Sequence, residues 1–145
     1  IQQVPDVIQA KKFEVVNDTG TPVATLESYK NSGVITARDK QGRLTFLVIT
    51  ENGPEGGLGT LSTMNSQGKN LVYLGATKDS NRGSVTTSNT KGVALVRIGA
   101  TVGGEGAIET FNEKGKRIVG IGATVDGEGS ISTENGKDSI TAQLP

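Results

Sequence analysis

The sequence predicts an all-β protein: a meander of repeated antiparallel hairpins with a period of about 23 residues. Two patterns carry that prediction. A four-residue turn of Asn or Asp, two variable residues and Gly recurs as Asn17-Asp18-Thr19-Gly20, Asp39-Lys40-Gln41-Gly42, Asn65-Ser66-Gln67-Gly68, Asn89-Thr90-Lys91-Gly92 and Asn112-Glu113-Lys114-Gly115. Its glycines Gly20, Gly42, Gly68, Gly92 and Gly115 stand 22, 26, 24 and 23 residues apart. Between these turns, apolar residues alternate with polar ones, the period of a strand with one covered face. The turn chemistry suits hairpins, because an Asn or Asp side chain bonds the backbone two residues on. The Gly then takes a positive φ without a Cβ clash, closing a type I turn with a glycine bulge. No ten-residue window holds a capped 3.6-residue period, so no helix is expected.

Taken in order, residues 1–12, with Pro5, read as an extended arm, and residues 13–145 as one β-repeat domain. Phe13-Glu14-Val15-Val16 forms the entering strand. The repeats then fall near 20–41, 42–67, 68–91, 92–114 and 115–135. A second glycine series, Gly33, Gly59, Gly83, Gly106 and Gly129, marks the opposite end of each unit. Each repeat is thus a longer strand after the first glycine and a shorter one after the second. The longer strands repeat most faithfully: Leu71–Thr77, Leu95–Thr101 and Ile118–Thr124 align without gaps. Alternation puts Val72, Leu74 and Ala76 on one face, with Val96, Ile98, Ala100 and Val119, Ile121, Ala123 at the same places. The other face carries Tyr73, Arg97, Gly120 and the recurring Gly75, Gly99 and Gly122, and reads as the outer, solvated side. Asn135-Gly136 is a tight two-residue turn into a closing strand at 138–143, for about twelve strands in up-and-down order.

Composition limits how such a sheet is covered. Only 33% of residues are hydrophobic and 3% aromatic, with no Trp, and the 21 glycines reflect the turns. Open twisted sheets beyond roughly ten strands curl, split or find a partner. A homotrimeric β-prism, in which three chains pool their apolar faces, is the first expectation. Small residues at Ala76, Ala100 and Ala123 suit its narrow axis, where larger ones would overfill. A β-solenoid is the alternative, and a monomeric barrel or sandwich comes last, because these side chains are too small to fill a twelve-stranded interior.

The opening Ile8–Gly20, an Ala-x-x-Phe strand leading into an Asp/Asn-x-x-Gly turn, is followed by Pro22-Val23-Ala24-Thr25-Leu26. This run resembles a β-hairpin repeat module of uncharacterised bacterial proteins, and the later repeats match more loosely over most of the chain. In architecture the chain also resembles the trimeric β-structured stalks of phage fibres and bacterial surface proteins. The resemblance implies a self-associating structural protein, extracellular or at the cell surface. It carries over no catalytic or ligand residue.

The chemistry available is narrow. Fifteen basic and fifteen acidic residues are scattered singly, without a basic run to track a phosphate backbone, so no nucleic-acid partner is expected. Neither His nor Cys occurs, which removes imidazole- or thiolate-based nucleophiles and zinc sites. No apolar stretch is long enough for a membrane-spanning helix, and no membrane insertion is expected. The chain opens on Ile1 rather than Met, read as the trace of a processed or trimmed segment; a signal peptide there would mean export. Carboxylates remain. Glu105 and Glu128 occupy equivalent turns, Asp126 lies beside the second, and Glu55 stands in register within the longer Asn52–Gly57 loop. They could line a Ca²⁺ ladder, but solvated turn residues are the expected reading, and no metal or cofactor is predicted. The functional expectation is therefore a non-enzymatic stalk or adhesion scaffold. The alternative is a module that binds a glycan or surface protein through turn loops such as Asn52–Gly57 and Lys78–Arg82.

Overall fold

The computed structural model describes residues 9–53, 56–76, 82–101, 103–124, 126–135 and 140–144. They form one twelve-stranded sheet in which strand order follows chain order. The strands are β1 (Lys12–Val16), β2 (Pro22–Tyr29), β3 (Ser32–Arg38), β4 (Leu44–Gly53), β5 (Gly56–Met64) and β6 (Asn70–Ala76). They continue as β7 (Gly83–Ser88), β8 (Ala94–Ala100), β9 (Gly106–Phe111), β10 (Arg117–Ala123), β11 (Gly129–Glu134) and β12 (Ile140–Leu144). Neighbours pair antiparallel throughout, so the parallel coils of a solenoid are not formed by the described residues. Each strand touches only its sequence neighbours, and β1 does not pair with β12: the sheet is an open meander.

The repeated turns share one geometry. The Gly20 N–H donates to the Asn17 carbonyl at 2.9 Å, and the Asn17 N–H donates to the Thr21 carbonyl at 3.0 Å. Asn17 Oδ1 accepts from the Thr19 and Thr21 amides at 3.0 and 2.9 Å. Asp39, Asn65, Asn89 and Asn112 each repeat this pair of side-chain bonds to the amides two and four residues on. The closing glycines take φ between 73° and 83°, where a Cβ is penalised. Every one of these hairpins carries a bulge beside its turn, so the pairing shifts there and returns to the same phase.

At the opposite end Gly83, Gly106 and Gly129 each open a strand, Gly33 and Gly59 lie within theirs, and none has a positive φ. The left-handed residues there are Gly104 and Gly127, in turns closed by Thr101–Glu105 and Thr124–Glu128 backbone bonds, with Thr in the place of Asn. Between β2 and β3 they are Lys30 and Asn31, which form a two-residue connection. The Asn52–Gly57 stretch is not a long loop either: Asn52 pairs with Gly57 and Gly53 with Gly56, so β4 and β5 run almost to the apex. The closing strand lies at Ile140–Leu144, one to two residues beyond its predicted position. Most of the predicted arm and part of the Asn135-Gly136 turn fall outside the described residues.

Register places the apolar residues in line. Phe13, Leu26, Ile35, Val48, Leu61, Leu74, Val85, Ile98, Ile108, Ile121, Ile131 and Leu144 are successive cross-strand partners, one per strand across the whole sheet. A second row on the same face alternates Val and Thr: Thr63, Val72, Thr87, Val96, Thr110, Val119, Thr133. A third pairs Ala76 with Gly83, Ala100 with Gly106 and Ala123 with Gly129.

Within the lone chain the face opposite the aliphatic row is the better covered. The best-buried residues, Thr25, Val34, Thr36, Leu58, Thr60 and Ser62, belong to the face expected to be solvated. Ile35, in the aliphatic row, is 44% exposed between Val34 at 6% and Thr36 at 7%. The covered side is the inner face, and it mixes small residues with larger ones such as Val34, Leu58 and Tyr73. Gly75, Gly99 and Gly122 lie on that inner face, where a Cβ on Gly99 would come within 2.8 Å of the Gly83 carbonyl oxygen. Small inward residues let adjacent strands close up, and the aliphatic row is carried to the outside.

These two glycine roles separate experimentally. Gly99→Ala should lose about 1–3 kcal/mol in urea unfolding through the backbone clash. Gly42→Ala meets no atom within 4 Å but has φ 78°, and should lose about 1–2 kcal/mol through conformation alone. Gly83→Ala has neither problem and should unfold like the parent chain.

Candidate functional site

Two surfaces stand out: the exposed aliphatic row and a groove on the inner face. The groove has a volume of about 540 Å³ and is walled by Tyr73, Thr86, Arg97, Ala107 and Glu109, with Arg82 at its rim. It exists because the row behind it is Gly75, Ser84, Gly99 and Ala107, residues too small to fill the bend. Tyr73 donates its hydroxyl to the Ala76 carbonyl at 2.9 Å, which fixes its ring along β6.

A charge ladder runs from the groove along the same face. Arg97 and Glu109 are direct cross-strand partners, 3.4 Å apart, and the Arg97 guanidinium lies 5.3 Å from the centre of the Phe111 ring. Glu109 also meets Arg117 at 3.4 Å, and Arg117 in turn donates to Glu134 at 2.6 Å from Nε. The hydrogen bond to Glu134 raises the Arg117 pKa further, helped by the charges of Glu134 and Glu109 against partial desolvation. Opposite charges in facing positions stabilise a pair of strands by about 0.2–1 kcal/mol each. Sequence reading found Tyr73, Arg97 and Arg117 but missed Glu109 and Glu134, and it set all three of the former on the outer side. The signal was available only through register: Arg97 and Glu109 become partners once the hairpin is centred between Thr101 and Glu105.

The predicted carboxylates do not assemble with this ladder. Glu105 accepts a short bond from the Thr101 hydroxyl inside its own turn. That bond, together with its own backbone amide and the charge of Arg82, holds the Glu105 carboxyl below its ordinary pKa against a small desolvation effect. Asp126 and Glu128 are exposed in the next equivalent turn, where the Glu128 amide donates to Thr124 Oγ1 at 3.2 Å. Two strand spacings, about 10 Å, separate the two turns along the sheet. Glu55 lies outside the described residues. Among the described residues no three acidic side chains gather as a metal site requires. Of the two candidate loops, Asn52–Gly57 is largely strand, and in Lys78–Arg82 only Arg82 is described. No known protein family matches the chain, and none of the curated proteins compared with it does.

The aliphatic row is the larger surface. Eight of its residues, Phe13, Leu26, Ile35, Leu74, Ile98, Ile108, Ile121 and Ile131, are 41–51% exposed. A face of this length and chemistry is the kind that marks an interaction surface. Covering one half-exposed aliphatic side chain is worth about 1 kcal/mol.

The Thr101–Glu105 bond gives a pH test. A carboxylate with a depressed folded pKa adds stability above its unfolded value, near 4.5, and loses it as pH falls through the folded value. NMR titration of Thr101→Val should show the Glu105 pKa move up toward 4.5. An unchanged Glu105 would remove the hydroxyl as the cause.

Proposed function

We propose that this chain is a non-enzymatic structural protein, a homotrimeric β-rich stalk or adhesion scaffold whose aliphatic row is the contact between chains. The exposed row itself carries this reading: one aliphatic or aromatic residue on every strand, in register, left without a second layer by the described residues. A repeat that adds two strands lengthens the row by two residues, so the contact grows in proportion to the rod. Three faces joined along an axis let each row meet two others. The margin of Ala76, Ala100 and Ala123, facing Gly83, Gly106 and Gly129, lets the backbones approach there. The resemblance to surface stalks agrees with an extracellular or cell-surface setting.

A second reading is favoured by the groove. Tyr73, Arg97 and Glu109 supply an aromatic edge, a donor fork and an acceptor in one depression, a set suited to a glycan or to a strip of another protein. The two readings use opposite faces of the sheet and are compatible.

Light scattering on a sizing column should give the mass of three 15.0-kDa chains, constant over a dilution series. The double variant Ile98→Lys/Ile121→Lys, on the outer face where neither charge is buried in the lone chain, should elute as a monomer with an unchanged β-sheet circular dichroism spectrum. A monomeric parent chain would overturn the reading.

A further inference from the structure

The groove does not end at Glu109. A second depression of about 100 Å³ lies beside it, reaching Arg117, Gly120, Gly122 and Ser132, and shares Thr101, Ala107 and Glu109 with the first. The two make one trough that crosses the strands from β6 to β11. Six strands span five spacings of about 4.8 Å, so the trough is about 24 Å long. In the preceding half of the sheet the cross-strand row that forms its floor is occupied by Val34, Ile49 and Thr60, and Val34 and Thr60 are buried.

The wall of the trough is polar and follows the strands one by one. Tyr73, Thr86, Arg97 and Glu109 are consecutive cross-strand partners, and the Arg117 guanidinium extends the wall over Gly120, the next position in that row. Arg82 and Thr101 stand on the opposite rim. The charged members of the wall alternate in sign, and their contacts are loose. Among the described residues Arg97 meets Glu109 through Nη1 alone, at 3.4 Å, and Glu109 meets Arg117 at 3.4 Å. The two arginine side chains are 51% and 41% exposed. Exposed pairs of this kind add little stability, so a ligand that enters between them displaces little.

These features select a class of ligand. Arg97 and Arg117 are balanced by Glu109 and Glu134, so the wall does not favour a polyanion. It suits hydroxyl groups, which accept from a guanidinium and donate to a carboxylate. The open length suits a chain rather than a compact molecule, and the backbone at Gly99 and Gly122 gives a flat floor for the C–H face of a sugar ring. We propose that the trough binds a linear, neutral, β-linked polysaccharide in extended form, laid along the ribbon with one sugar unit to each strand. The unit length of such a chain is close to the strand spacing, so successive hydroxyls meet successive wall residues in step. This inference rests on the groove reading above and narrows it to one ligand class. The aliphatic row, on the other face, takes no part.

Isothermal titration calorimetry with cellobiose, cellotetraose, cellohexaose and chitohexaose tests both length and site. Affinity for at least one hexaose should exceed that for cellobiose by about tenfold or more. Ala107→Leu, which fills the middle of the trough, should weaken hexaose binding by about tenfold with an unchanged circular dichroism spectrum. Arg97→Gln, a change at an exposed side chain, should do the same even if Ala107→Leu fails to fold. Ser66→Ala, at an exposed turn, should bind like the parent chain. Affinity that ignores length, or that survives Arg97→Gln, would overturn the proposal. A short branched or acidic oligosaccharide bound in place of the linear ones, and lost in Arg97→Gln, would overturn it while leaving the groove reading intact. Binding to none of these sugars would overturn both the proposal and the glycan form of that reading.

Discussion

The turn built on an Asn or Asp carboxamide or carboxylate oxygen is the constraint on which the rest of the sheet depends. One oxygen accepts two backbone amides, two and four residues on, and a glycine at positive φ completes the reversal. A slip of one residue in any hairpin would send its aliphatic side chain to the other face. Because the same turn, with the same bulge, recurs at the same phase, the slip is blocked each time and twelve residues fall into one row. The row is thus a product of turn chemistry as much as of hydrophobicity. Isolated aliphatic residues, one per strand, would not make a surface without it.

The second determinant is the difference in side-chain volume between the two faces. A single layer of sheet cannot cover both sides, and here the better-covered residues lie opposite the aliphatic row. Gly75, Gly99 and Gly122, with Ser84, Ala107 and Ser130 beside them, offer almost no volume inside the bend. The Thr25–Thr36 hydroxyl pair, 2.8 Å apart, shows how that face satisfies its polar atoms as they are buried. The aliphatic row, left on the convex side, keeps nearly half its surface in water. Under the proposed assembly, that remaining surface is what the contact between chains covers.

Electrostatics supports the bend without deciding it. The Arg97–Glu109–Arg117–Glu134 ladder lies on the inner face, where each charge is partly shielded and each has a partner of opposite sign. At the edge, Lys12 makes the same kind of inward pairing, raising its own pKa chiefly through Glu14. The effect there is different, because a cation that might have guarded the edge is turned away from it. Charges that look scattered along the sequence are sorted by the meander into facing pairs.

Much of the fold was legible in the residues. The Asn-x-x-Gly spacing gave the hairpins, alternation gave the members of each face, and the strands from Leu71 to Thr124 could be aligned by eye. These features are local: a turn and a two-residue period involve groups within a few positions of one another. At the opposite ends the Lys30-Asn31 connection and the Thr-led start of the Thr101–Glu105 turn carry weaker signals, and only the structure defined them. The site was less legible. Arg97 and Tyr73 were visible as residue types, but Glu109, Arg117 and Glu134 became their neighbours only through register. Sequence by itself determined the hairpins, their phase and the membership of each face. Which face is buried was decided only by the tertiary structure, because bending depends on the summed volume of side chains brought side by side from many strands.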